Sequence, residues 1–130
     1  MREAIIPAGM EIFHSHYHFA PAVRANGLLF LSGQIGLINI ETPTLADGLT
    51  AQIDSALQNI GRVLEAAGRD YSSVVEINSF HVGPLGDHMP LFVEALAKFF
   101  DEPYPAWTSF EVSGLAFPGA LVEVKAIALA

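Results

Sequence analysis

The chain has no cysteine among its 130 residues. Disulfides, thiolate zinc sites and thiol nucleophiles are therefore excluded. Basic residues are scarce as well, since six Lys and Arg stand against 14 Asp and Glu and leave a net charge of −8. Proteins that bind nucleic acid neutralise phosphates with clustered Lys and Arg. No such cluster occurs here, so the charge argues against nucleic acid as a partner.

Long apolar runs are also missing. No stretch of roughly 18 or more uncharged apolar residues occurs, so the sequence predicts no membrane span. The first residues, MREAIIPAG, carry two charges and no long apolar segment, so we expect no signal peptide. These absences predict a cytoplasmic protein without a membrane partner.

Apolar residues are abundant. They make up 52% of the chain, whereas charged residues make up 15%. This composition is too apolar for a disordered chain and rich for a small monomer. The length fits a single domain over residues 1–130. We interpret the apolar excess as a sign of burial between subunits.

Turn residues and apolar runs predict five strands. The dipeptide Asn26-Gly27 predicts a hairpin between two strands within residues 20–31, and the small residues Ser32 and Gly33 that follow predict a bulge. The other strands are predicted at 73–82, Ala106–Ser113 and Leu121–Leu129.

Apolar residues at spacings of three and four predict two helices. The first is expected from Asp47, as its cap, to a stop at Gly68, and the second from Asp87, as its cap, to Phe100. The resulting order, β-β-α-β-α-β-β, predicts an α+β fold with both helices on one face of a mixed sheet. The other face of the sheet would stay uncovered, which again points to an oligomer.

The segment EIFHSHYHF, at residues 11–19, places His14, His16 and His18 at alternate positions. On a strand these side chains would share one face, with neighbours ~7 Å apart. Zinc accepts such a pair, but it normally needs a third ligand and an outer shell of hydrogen bonds. No Asp or Glu stands at an obvious spacing. We therefore favour a polar segment without a bound metal over a metal site.

Polar residues also interrupt the apolar strands near the C-terminus. Trp107, Ser109 and Glu111 would share one face of a strand, as would Glu123 and Lys125 in the last strand. A carboxylate and an ammonium are costly to bury without partners. The residues alone leave two interpretations open. One is an ion pair at a subunit interface, and the other is a carboxylate that lines a pocket and acts as a base.

Three further residues favour structural roles. Ser32 lacks the Gly-x-Ser-x-Gly context of a hydrolase nucleophile, so we expect a buried hydroxyl bonded to backbone. His81 lies between Phe80 and Val82 in a predicted strand, which is typical of a satisfied core or interface histidine. Arg24 is expected to be a surface charge, with anion binding as the alternative.

Several segments together resemble the RidA/YjgF family, whose older name is the L-PSP endoribonuclease family. They are LLFLSGQIG, LEAAG, VVEINSFHV, KFF, YPAWTSF and PGALVEVKAIA. The resemblance runs from about Ala20 to the end of the chain, and the YjgH type is the most similar branch. It implies a chorismate-mutase-like fold and a homotrimer with ligand pockets between subunits. It also implies hydrolysis of reactive imines and enamines, such as 2-aminoacrylate, to keto acids and ammonia, without a metal or organic cofactor.

The resemblance carries over to the pocket only in part. The family's Pro-Ala-Arg-Ser contains an arginine that clamps the substrate carboxylate, and Trp107 stands at that position. An indole offers one neutral N–H and cannot replace a planar cation. The loss of a charged hydrogen bond in a pocket typically costs about 2–5 kcal/mol of binding free energy. Phe19 stands in place of the family's tyrosine, and Val93 in place of its helix asparagine. The family's glutamate is retained as Glu123.

These assignments give our expected site. Glu123 is the predicted catalytic group, and the predicted ligand contacts are Phe19, Ser32, Gly33, His81, Trp107 and Ser109. We expect a neutral or cationic small molecule beside the aromatic walls formed by Phe19 and Trp107. Arg24 or Lys125 could instead restore an anion site.

Three functions follow from this site. The first is a Rid-like hydrolase or deaminase with an altered substrate range. The second is a trimer that binds or senses a metabolite without turnover. A ribonuclease is the least favoured, because of the acidic charge.

Overall fold

The computed structural model describes all residues, 1–130. It contains eight β-strands, three α-helices and a short 3₁₀ turn at Tyr71–Ser73. The strands are β1 (Glu3–Ile5), β2 (Ala22–Ala25), β3 (Leu28–Ile35), β4 (Leu37–Asn39), β5 (Thr44–Leu45), β6 (Val74–Val82), β7 (Ala106–Val112) and β8 (Val122–Leu129). The helices are α1 (Glu11–Ser15), α2 (Leu49–Ala66) and α3 (Leu85–Phe99). No helix of the chain is both long enough and apolar enough to cross a bilayer.

Six strands form one mixed sheet in the order β1-β2-β3-β8-β6-β7, and β4 pairs separately with β5. The β6–β7 pair is parallel, and the other pairs in the large sheet are antiparallel. The parallel pair follows from the chain path, because α3 connects β6 to β7 and returns the chain to the same end of the sheet. The predicted α+β fold with a mixed sheet is confirmed.

The long helices cover one face of the sheet. In β8, Val122, Val124, Ala126 and Ala128 are buried, whereas the alternate residues are partly or well exposed. The buried set packs with apolar residues of α2 in a single core. The opposite face keeps large apolar side chains at the surface, with Phe30, Phe110 and Leu129 exposed by 44%, 42% and 47%. We call these three residues with Ile127 the open-face patch.

The helix caps differ from the predicted ones. Gly48 precedes α2 with a φ of 89°, and no side chain caps the helix, so Asp47 is not its cap. α3 begins at Leu85, and Asp87 lies within its first turn. The Glu111 carboxylate on β7 accepts a hydrogen bond of 2.9 Å from the amide of Leu85. A side chain distant in sequence therefore supplies the cap that Asp87 was expected to provide.

The N-terminal segment is not the strand that the alternating histidines suggested. Residues 11–15 form α1, and His18 has a φ of 62°, so the period of two is broken. Ile12 and Phe13 pack against the core from this short helix, while the three histidines are exposed. Packing of the apolar pair therefore decides the conformation of this segment.

Strand β3 is longer than predicted and contains the predicted bulge. Its register against β8 shifts between Leu31, opposite Ala126, and Gln34, opposite Val124. Three steps along β3 thus match two steps along β8, which is the signature of a β-bulge. The extra residue lies at Ser32 and Gly33, where the strand passes the Glu123 side chain of β8.

Candidate functional site

An apolar cleft of about 400 Å³ lies between α1, the bulge of β3 and the loop before β8. We call it the Glu123 cleft. Its aromatic walls are Phe13, Phe19 and Phe117, and Gly33 and Glu123 also line it. Phe13 and Phe19 stack with ring centroids 5.2 Å apart and an interplanar angle of 26°. The structure therefore brings together three predicted site residues, Phe19, Gly33 and Glu123.

Gly33 leaves room for the Glu123 carboxyl group. A Cβ atom at position 33 would lie 2.5 Å from Oε2 and 2.6 Å from Cδ of Glu123. Any larger residue would displace the carboxyl group, because such short contacts do not occur between real atoms. The bulge and the glycine together place this group in the cleft.

The Glu123 carboxyl group is partly buried and has neither a hydrogen bond nor an ion pair within the chain. Burial raises its pKa, and the charge of Lys125 opposes this effect more weakly. Glu123 and Lys125 form no ion pair within one chain, and the ion pair across a subunit interface that was one of our two interpretations stays a prediction. A carboxyl group with a raised pKa and free lone pairs is suited to exchange protons with a ligand.

Ser32 lies beside the cleft but has a structural bond. Its hydroxyl donates to the carbonyl of Ala20 at 2.6 Å. This is the backbone-bonded hydroxyl that we expected from the sequence. The bond ties the bulge to the segment that carries Phe19, and thereby fixes the width of the cleft.

Trp107 lies elsewhere. It pairs in register with Ile77 of β6, on the face covered by the helices, and its ring stacks on Phe92 of α3 with centroids 5.3 Å apart. With Val93, Tyr104 and other apolar residues it lines a second groove of about 380 Å³, which we call the Trp107 groove. Phe19 and Trp107 therefore do not wall one pocket within a single chain, and the aromatic pocket that we expected between subunits stays a prediction. Strand alternation and the sheet order put them on different surfaces.

His81 is fully buried, so it is not exposed to contact a ligand as we predicted. Its Nδ1 lies 3.0 Å from Nδ1 of His88, and its Nε2 lies 2.8 Å from Oγ of Ser79. Burial, followed by the neighbouring His88, lowers the pKa of His81 to about 4. His81 is thus a neutral core histidine, which was our first interpretation. Ser109 pairs in register with Ser79 and is partly buried, away from the Glu123 cleft.

The two basic residues considered as substitutes for the missing arginine differ in position. Arg24 donates to Glu3 and to the carbonyl of Ala67, each at 2.9 Å, so it closes the end of α2 and does not face the cleft. Lys125 is exposed on the open face, two residues from Glu123. Of the two, Lys125 is the one whose charge acts on the Glu123 carboxyl group.

The histidines of the N-terminal segment do not converge on one point. His14 and His18 line a shallow surface depression with Arg2, and His16 packs edge-on against Tyr17. The structure has no group of three or more His, Cys, Asp or Glu side chains placed to hold a metal ion.

Comparison with known proteins places the chain in a family. The family profile described as Endoribonuclease L-PSP matches residues 11–130. The chain belongs to this family, also called RidA/YjgF. The RutC family protein YjgH of Escherichia coli K12 is 32% identical over 127 residues, which cover 98% of this chain and 94% of YjgH. A solved structure of a protein named YjgH has a TM-score of 0.86 at 32% identity, covering 98% of this chain and 95% of that chain.

Other RidA/YjgF relatives carry enzyme names. A human protein named 2-iminobutanoate/2-iminopropanoate deaminase is 27% identical over 118 residues, which cover 85% of this chain and 79% of that protein. The residues that the RidA/YjgF resemblance assigns to the ligand site fall on two surfaces of this chain. Phe19, Gly33 and Glu123 line the Glu123 cleft, and Val93 and Trp107 line the Trp107 groove.

Some residues of these surfaces escaped the sequence reasoning. Phe13 and Phe117 wall the Glu123 cleft, and Ser79 and His88 surround His81. The aromatic density of residues 13–19 was the one available signal for Phe13. No pattern in the sequence distinguishes Ser79 from any other serine in a strand.

Proposed function

We propose that this chain forms a homotrimer in which each ligand site lies between two copies, one contributing the Glu123 cleft and the other the Trp107 groove. The separation of the two surfaces supports this arrangement, because the residues that the family uses together are apart in a single chain. The exposed open-face patch supports it as well, since apolar side chains of this size are normally covered.

The assembly can be tested without a ligand. Light scattering should give a mass about three times the 13.9 kDa of one chain. Phe110→Asp places a charge in the open-face patch and should shift the protein to monomers, whereas Glu65→Gln, at an exposed position of α2, should not. A wild-type mass near that of one chain would remove the shared site.

We further propose that the protein hydrolyses small imines or enamines, with Glu123 as the acid and base. Water adds to the imine carbon while the nitrogen gains a proton. The C–N bond then breaks and leaves a carbonyl compound and ammonia. Glu123 can donate a proton to the nitrogen, accept one from the water and then carry the hydroxyl proton of the carbinolamine to the departing amine, because burial shifts its pKa upward and so favours the protonated form. The observation that carries this proposal is the partly buried carboxyl group without a partner in an apolar cleft.

The substrate class that we propose is neutral or cationic and aromatic. Trp107 stands where relatives place a cation, so a substrate carboxylate would lack its bidentate partner. Phe13, Phe19 and Phe117 offer flat apolar surfaces, and Glu123 offers a negative charge for a protonated imine. Lys125 is the remaining basic side chain near the cleft.

Two imines generated in situ separate the possibilities. A flavin amine oxidase converts benzylamine to a neutral aromatic imine, and a flavin amino-acid oxidase converts alanine to 2-iminopropanoate. We expect faster release of benzaldehyde than in buffer, and little acceleration with 2-iminopropanoate. Glu123→Gln should abolish the acceleration. The reverse preference would contradict the proposed substrate class, and no acceleration of either imine would contradict the hydrolase.

The alternative is a trimer that binds a metabolite without turnover. The apolar lining of both surfaces favours this reading, because Glu123 is the only Asp, Glu, Lys, Arg or His side chain that lines either of them. Benzamidine is a stable cation that resembles a protonated aromatic imine. Quenching of the fluorescence of Trp107, the single tryptophan, together with a thermal shift but without imine hydrolysis, would support this alternative.

A further inference from the structure

Four buried or partly buried side chains form a continuous hydrogen-bonded chain beneath the Trp107 groove. Nε1 of Trp107 donates to Oγ of Ser79 at 2.8 Å. The same Oγ lies 2.8 Å from Nε2 of His81, whose Nδ1 lies 3.0 Å from Nδ1 of His88. Ser79 and His81 are fully buried, and His88 is 4% exposed. These contacts join the start of α3 to the indole that lines the groove.

One direction of these bonds gives the Ser79 hydroxyl proton and each bonded nitrogen a partner. An indole N–H can only donate, so Ser79 accepts from Trp107. The hydroxyl has one proton, and donating it to Nε2 of His81 makes that nitrogen an acceptor. His81 then carries its own proton on Nδ1 and donates it to Nδ1 of His88. In this arrangement every one of these polar atoms has a partner, and both histidines are neutral.

Packing holds the same rings from the side. Trp107 stacks on Phe92, and His81 meets the same Phe92 ring edge-on with centroids 5.2 Å apart and an angle of 84°. Phe92 is itself fully buried. The indole is therefore held by one directional bond and by one flat neighbour, which leaves it a single orientation at the wall of the groove.

We infer that Ser79 and His81 are positioning residues for Trp107, and that they act through a hydrogen-bonded chain in which His81 is the neutral Nδ1–H tautomer. Ser79 gives the indole its only hydrogen-bond acceptor, and His81 orients the Ser79 hydroxyl so that its lone pair faces Trp107. The use of Trp107 as a ligand wall rests on the proposed function. The positioning itself does not, and its tests need no ligand.

The first test uses the single tryptophan as its own reporter. In Ser79→Ala the indole loses its acceptor, and we expect the population of detached indole conformers to rise about fivefold, the factor equivalent to one ordinary hydrogen bond of ~1 kcal/mol. A short local rotation should then appear in the fluorescence anisotropy decay and be absent from the wild type. Ser79→Thr keeps the hydroxyl and should restore the wild-type decay.

Ser73→Ala is the matched control. Ser73 is 2% exposed, and its hydroxyl donates to the carbonyl of Asp70 at 2.7 Å, far from Trp107. It should lose comparable stability without any change in anisotropy. An unchanged decay in Ser79→Ala, or the same change in Ser73→Ala, would overturn the positioning role.

The second test uses the wild-type protein and is independent of how the variants fold. Long-range ¹⁵N–¹H correlation spectra at pH 7 distinguish the tautomers of histidine. We expect His81 to carry its proton on Nδ1 and His88 on Nε2. A proton on Nε2 of His81, or a charged His81, would overturn the assigned direction of these hydrogen bonds.

Discussion

The Glu123 cleft and the Trp107 groove treat polar atoms in opposite ways. In the cleft, a partly buried carboxyl group has no partner in the chain. Under the groove, Trp107, Ser79, His81 and His88 are linked by hydrogen bonds into one chain. Both surfaces are otherwise apolar.

This difference indicates a chemical role for Glu123 and a structural role for the hydrogen-bonded residues under the groove. The Glu123 oxygens are not fully buried and have no partner in the chain, so they can bond water or a ligand. The bonded atoms of Trp107, Ser79 and His81 are paired with one another and with Nδ1 of His88, so they serve to hold a shape. The perturbed pKa values of Glu123 and His81 therefore have different meanings, although burial causes both.

We expect the largest effect from removing the charge of Glu123 in the cleft. Glu123→Gln should lower the hydrolysis of the aromatic imine by about 10²–10⁴-fold, the usual contribution of a positioned acid or base. Stability at pH 7 should not fall, because the amide avoids the burial of a charge. Single-turnover assays and urea unfolding measure the two effects. A full rate in Glu123→Gln would remove Glu123 from the chemistry.

Lowering the pH should destabilise the fold through the buried His81. The pKa of His81 in the folded state is about 4, below the 6.5 of a free histidine. Between these pH values His81 is protonated in the unfolded chain but not in the folded one. The free energy of unfolding therefore falls as the pH drops from 6.5 towards 4. The full loss is about 3 kcal/mol. Urea unfolding at several pH values should show this loss in the wild type and not in His81→Phe.

Crowding the carboxyl group should have a smaller effect than removing it. In Gly33→Ala the new Cβ overlaps the Glu123 side chain and should shift it by about 1 Å, which can cost ~10²-fold in rate. Gly114→Ala is the control, because nothing lies within 4 Å of its new Cβ. Equal rates in both variants would mean that the Glu123 position is not critical.

Arg24 gives the smallest expected effect. Its bonds to Glu3 and to the carbonyl of Ala67 are structural, so Arg24→Gln should cost less than about 1.5 kcal/mol of stability. Imine hydrolysis should be unchanged. A specific loss of activity toward 2-iminopropanoate would instead assign Arg24 to an anion site.

Local patterns in the sequence predicted much of the fold. The Asn26-Gly27 turn has φ values of 52° and 78°, as a tight hairpin requires, and the bulge lies at Ser32 and Gly33. The main helix and the last strand were also predicted within a few residues. In each case the signal and its structural cause lie within a few residues of each other.

The predictions failed where the local conformation depends on contacts between residues that are distant in sequence. The conformation of α1 depends on the packing of Phe13, and the cap of α3 comes from Glu111 on another strand. Alternation correctly put Trp107 and Ser109 on one face, but it could not tell which face the helices cover. That question depends on the order of the strands, and so the separation of Trp107 from Glu123 was not readable from the sequence.

The bulge in β3 has a further consequence for changes in chain length. Leu31 and Gln34 face the same side of the sheet only because one surplus residue lies between them. Deleting either Ser32 or Gly33 would leave Leu31 and Gln34 two residues apart, so both would still face the same side of a regular strand and the pattern of buried residues downstream would be kept. The bulge itself would be lost, and with it the close approach of Gly33 to Glu123, so a single lost codon there would alter the cleft while leaving the core in phase.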